Sequence, residues 1–209
     1  MDNSILLIVF QLVVLLFSVM LHEISHGLMA LRLGDQTAKD AGRLTLNPVS
    51  HLDPFGSVML PIVLVMTHSP VVLGWAKPVP YNPNALYKDF RYGPMKVALA
   101  GPLSNLALAL VFGLIIRFGM GFLSSTIINF LAVIVLMNCF LAVFNLVPIP
   151  PLDGSKILSA VLPPRYAYMV ENIGLGGVLV VVIFLYFFGS IITFPAEALF
   201  RLFTGISAM

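Results

Sequence analysis

The chain has 209 residues, 59% of them hydrophobic and only 10% charged, with a net charge of +2 and a mean hydropathy of +1.02. A soluble domain of this size would need far more polar surface, so the composition excludes one and describes an all-α polytopic membrane protein. The charge gives no ground for a nucleic-acid partner and none is expected; the few Lys and Arg are topology signals.

The first apolar run begins near Ile5, and Ile5 to Leu21 holds only Gln11 and Ser18 as clearly polar members. It has neither the basic start nor the small-residue cleavage site of a signal peptide. At its end stands His22-Glu23-Ile24-Ser25-His26. On a helix the two His lie four apart on one face and could hold one Zn²⁺, with Glu23 within reach of a water on the metal. Two His and a Glu at the end of such a run cost several kcal/mol unless they have partners, so a metal site is expected rather than a chance pattern. The helix should continue to Leu33, with Gly34 as its cap.

Residues 35–55 form a polar surface loop with turns at Asn47-Pro48 and Asp53-Pro54. Between 55 and 75 two short apolar pieces flank Thr67-His68-Ser69-Pro70. A re-entrant hairpin is predicted there, the other reading being one kinked transmembrane helix. The prolines of Ala76 to Pro83 make that stretch extended. Full spans are expected at Pro94 to Phe118, Ser125 to Leu146 and about Ile173 to Ile192, with a short helix from Ser155 to Leu162. The first of these carries Ala100 to Asn105, whose small residues let another backbone approach, with Asn105 hydrogen-bonding between helices. Cys139, the single cysteine, reads as a small buried residue. A C-terminal piece with Glu197 and Arg201 is expected at the membrane interface. In all, about four full transmembrane helices are predicted, plus the re-entrant hairpin and a short extended or β segment. They form one membrane-embedded domain over residues 1–209, with its core at 4–162 and a last span at about 173–192.

Zinc needs a third protein ligand. Asp153 is the strongest candidate, with His51, Asp53, His68 and Glu171 as competitors. Asp153 and the His pair both follow C-terminal ends of apolar runs, so they can meet only if those ends share one side of the bilayer. A hairpin at 55–75 satisfies this; a full crossing does not. With the hairpin, nine Lys and Arg fall on one side and only Arg117 and Arg201 on the other. A crossing would split them six against five. Positive-inside bias therefore favours the hairpin, with the N-terminus outside and the metal nearer the cytoplasmic face.

Three stretches in this order, His22 to Gly27, Ala100 to Asn105 and Asn145 to Gly154, resemble the site-2 protease family of intramembrane zinc metalloproteases. His51 to Gly56 and Gly74 to Pro80 resemble its compact prokaryotic branch, and no PDZ or CBS domain is expected. The resemblance implies one Zn²⁺ per chain held by His22, His26 and Asp153, with Glu23 as general base. Asn145 is a candidate donor to the oxyanion or to substrate backbone, or else a helix-to-helix hydrogen bond. His51 is expected beside the site, or else is a plain loop histidine. Trp75, Ala76, Lys77 and Val79 are expected as an edge that captures an unwound substrate strand, or else as a connector at the interface. The implied activity is hydrolysis of peptide bonds in or near transmembrane segments of other proteins, in the lipid bilayer, with oligomerisation left open. A membrane metal transporter and a non-catalytic scaffold that binds transmembrane helices are the alternatives. A transporter would want a ladder of ligands through the bilayer.

Overall fold

The computed structural model describes residues 3–59, 62–63, 66, 77–174 and 176–206. The opening apolar run forms helix α1, Asn3–Leu33. A four-residue helix α2, Thr37–Asp40, and a 3-10 turn, Pro48–His51, follow in the surface loop. Helices α3, Gly93–Gly119, and α4, Ser125–Asn145, come next. Then follow two short helices, α5, Asp153–Val161, and α6, Pro164–Glu171. The chain closes with α7, Gly176–Phe188, and α8, Ser190–Thr204.

Helices α1, α3 and α4 are each long and apolar enough to cross a bilayer. Helices α7 and α8 bend by 71° where they meet and make a fourth span if the pair counts as one. Central to the bundle is α3, which packs on α1, α4, α5 and α8. Its small residues allow this: a Cβ on Gly113 would collide with Phe203 of α8. Where α3, α4 and α8 meet, Ala109, Ile116, Val135, Cys139, Ala196 and Phe200 form a buried apolar cluster. The C-terminal piece with Glu197 and Arg201 forms helix α8, which turns Ile192, Ala196, Phe200 and Thr204 inward at four-residue spacing.

Most of the predicted hairpin, its end at Trp75 included, lies outside the described residues, but the residues that flank it on both sides do not. Lys77 N–H donates to the His51 carbonyl at 2.9 Å, and the Arg43 guanidinium donates to the Lys77 carbonyl at 2.7 Å. A bilayer core is about 30 Å thick, so these flanking residues lie on the same side.

The predicted β segment requires correction. No strand occurs among the described residues. Pro78 and Pro80 have no N–H to offer a ladder. The two remaining amides go elsewhere, that of Lys77 to His51 and that of Val79 to the Glu23 carboxylate at 2.8 Å. Lys77 to Pro80 is therefore an extended strap held by single contacts; Trp75 and Ala76 lie outside the described residues.

Candidate metal centre

Helix α1 carries His22 and His26 one turn apart, both buried at 5% and 8% exposure. The site also depends on the close approach of α3, because a Cβ on Gly101 would sit against the Nε2 atoms of both rings. Helix α4 ends at Asn145, and the proline-bound turn after it delivers Asp153 as the first residue of α5. Gly154 is required beside it, since a Cβ there would strike the Leu146 and Val147 carbonyls.

These elements bring three ligand atoms together. Asp153 Oδ2 lies 3.0 Å from His22 Nε2 and 3.1 Å from His26 Nε2, and the two Nε2 atoms are 3.0 Å apart. A tetrahedral zinc with bonds of about 2.0 Å places its ligand atoms about 3.3 Å from one another. The opposite ring nitrogens are engaged: His22 Nδ1–H donates to Asn105 Oδ1 at 2.6 Å and His26 Nδ1–H to the Val97 carbonyl at 2.7 Å. Both Nε2 atoms then carry lone pairs, and with the carboxylate three lone pairs converge on one point, an arrangement that needs a cation. The donor set and its spacing fit zinc. His22, His26 and Asp153 are the one such trio of His, Cys, Asp or Glu among the described residues, a cluster rather than a ladder.

The ligands open onto a cleft lined also by Glu23, Asn145, Lys156, Tyr81, Val97, Pro151 and the strap residues Pro78 and Val79. Glu23 is half-buried. Asn145 donates from Nδ2 to the Leu141 carbonyl at 2.9 Å, which leaves its second amide hydrogen for a ligand. His51 is placed elsewhere. It is fully buried at the foot of the strap, where Nε2–H donates to the Thr45 carbonyl at 2.9 Å. Asp53 accepts from the backbone of Phe55 and Gly56. His68 and the Glu171 side chain fall outside the described residues.

Sequence reasoning gave Asn105 only a role between helices and passed over Asn138 and Lys156. Lys156 Nζ stands 3.9 Å from Asp153 Oδ1 and 5.2 Å from the Tyr81 ring centre. Its three-residue spacing from Asp153 on a helix was the available signal. At the end of α1, Asp35 holds the far end of the strap. Its carboxylate accepts from Thr37 N–H at 2.9 Å, Thr37 Oγ1 at 2.5 Å and Asn82 N–H at 2.6 Å. Burial acts to raise its pKa, but the hydrogen bonds from Thr37 and Asn82 outweigh this and hold it below the usual carboxylate value.

Comparison with known proteins decides the family. YwhC of Bacillus subtilis, which bears a zinc metalloprotease name, is 35% identical over a 210-residue alignment covering 94% of this chain and 92% of that protein. The chain belongs to peptidase family M50. The model of that family matches residues 120–189. Rip2 of Mycolicibacterium smegmatis, similarly named, is 33% identical over 81% of this chain and 64% of its own length. Zinc metalloprotease MJ0392 of Methanocaldococcus jannaschii is 28% identical over 88% of this chain and 44% of its own length. No solved structure matches significantly. This M50 protein is a multi-pass integral membrane zinc metalloprotease of the site-2 protease type, prokaryotic like its relatives, with one zinc site per chain and action on membrane-embedded substrates.

Proposed function

We propose that His22 and His26 through Nε2 and Asp153 through Oδ2 hold the zinc, and that Glu23 is the general base for cleavage of peptide bonds in or beside transmembrane segments of other proteins. The observation that carries this reading is the convergence of three lone pairs at the floor of a cleft that Glu23 also lines. When bound, zinc supplies a Lewis acid that polarises a peptide carbonyl and lowers the pKa of a water toward about 7.

The chain's own residues do the rest. Glu23 takes a proton from the attacking water and returns it to the leaving amine. Asn145 offers its free amide hydrogen to the developing oxyanion or to the substrate backbone. A transmembrane helix keeps its carbonyls bonded internally, so the substrate must unwind locally to present one. In the resting structure Val79 N–H occupies the Glu23 carboxylate at 2.8 Å. An entering substrate must therefore shift the strap or share that carboxylate.

Glu23→Gln tests the assignment. Cleavage of a membrane-embedded reporter should fall by about 10²- to 10⁴-fold with zinc content unchanged. Retained cleavage would remove Glu23 from the mechanism.

A further inference from the structure

Two asparagines sit in the spanning helices behind the metal centre, and both are fully buried. Asn138 Nδ2 donates to the Ile134 carbonyl and to Ser18 Oγ, each at 2.9 Å. A backbone carbonyl can only accept, so this end of the Asn138 amide is its nitrogen and Oδ1 faces the other way. Oδ1 meets Asn105 Nδ2 at 2.9 Å, and the same Asn105 nitrogen faces the Ser18 carbonyl at 3.4 Å. The Asn105 amide is thereby oriented as well, with Oδ1 toward His22 Nδ1 at 2.6 Å. An oxygen that only accepts requires a hydrogen on Nδ1, and hence a lone pair on Nε2.

We propose that Asn105 and Asn138 are positioning residues for the zinc. Together they form a buried amide chain, anchored on the Ser18 and Ile134 carbonyls, that locks His22 in the Nδ1–H tautomer with Nε2 presented to the metal. His26 needs no such device, since its Nδ1–H meets the Val97 carbonyl directly, and a backbone carbonyl cannot turn over. His22 is the ligand whose tautomer depends on side chains. Polar residues also tie membrane helices together, and the bonds among Asn105, Asn138 and Ser18 do link α1, α3 and α4. Tying helices does not require the amides to run in this direction, nor the short contact to a ligand. The partners of both His rings are neutral, so Asp153 alone supplies negative charge among the ligands.

The inference rests on His22 being a zinc ligand, and its test separates the two. Full-length zinc-loaded protein in detergent is challenged with excess chelator, and zinc release is followed beside the melting temperature. Asn105→Leu removes the acceptor and should release zinc about 10- to 100-fold faster than wild type. Asn105→Asp keeps an oxygen against Nδ1–H and should hold zinc at least as well as wild type. Asn138→Leu touches no ligand but frees the Asn105 amide to turn, and should release zinc faster than wild type by a smaller factor. Equal release from Asn105→Leu and Asn105→Asp, whether fast or slow, overturns the lock, because a helix tie would treat them alike. Should Asn105→Leu fail to fold, Asn138→Leu decides, and wild-type release there overturns the proposal. A wild type that binds no zinc overturns the ligand assignment and this inference together.

Discussion

The two halves of α3 are held in the bundle by different means. Around Gly101 and Asn105 the helix meets α1 and α4 through directional bonds between buried polar groups, ending on His22. Around Ala109, Gly113 and Ile116 it meets α4 and α8 through shape alone, with small residues receiving Phe200 and Phe203. A bilayer gives apolar helices no hydrophobic reason to associate, so close packing and hydrogen bonds must do it. Packing suffices for cohesion. The polar half fixes the rotation of α1 against α3, which a ring nitrogen aimed at a metal requires.

Substitutions in the two halves should separate these roles. Asp153→Ala has the largest expected effect: loss of the zinc and of detectable proteolysis, read as metal content and reporter cleavage. Wild-type zinc content in that variant would exclude Asp153 as a ligand. Gly101→Ala and Gly113→Ala sharpen the contrast, since each adds one methyl to the same helix. The first pushes against both Nε2 atoms and should reduce zinc stoichiometry. The second presses on Phe203 and should cost about 1–3 kcal/mol of stability with zinc retained. Equal zinc content in the two would show that the halves do not differ in this way. Phe200→Ala, 3% exposed in the apolar half, should cost about 3 kcal/mol, seen as a lower melting temperature at unchanged zinc content.

The smallest effect belongs to Asp35. Its folded-state pKa lies below the usual value, so its contribution is complete above the unfolded value near pH 4. That contribution is lost as pH falls through the lower folded value. Asp35→Ala should cost about 1 kcal/mol at neutral pH. The difference in melting temperature between wild type and variant should narrow below about pH 4.

The sequence reveals the spanning helices because run length and apolarity report directly on bilayer thickness. α1, α3 and α4 fall within two residues of expectation at each end. The meeting of Asp153 with the two His was legible for a different reason, since the need for both helix ends on one face leaves few candidates. Partnership across helices is less visible. Asn105 and His22 are 83 positions apart, and whether an amide faces a ligand depends on helix rotation, which composition does not encode. The Lys77 to Pro80 strap misled because its prolines do enforce extension, while strand formation needs a neighbouring backbone ladder, and here one carboxylate and a lone carbonyl take its two amides. For α8, the four-residue spacing of Ile192, Ala196, Phe200 and Thr204 marks the face that packs, while the expectation drew only on Glu197 and Arg201. Those two lie on the outer face, 3.8 Å from each other.

Lys77 is gripped through both halves of its backbone, its N–H by His51 and its carbonyl by Arg43. That clasp ties the start of the strap to the surface loop by contacts of its own, made by residues that precede position 52. The strap is thus held at His51, Arg43 and Glu23, all of them outside residues 52–76. A segment of another length grafted between His51 and Lys77 should therefore leave the cleft where it is, which makes this clasp a natural boundary for exchange.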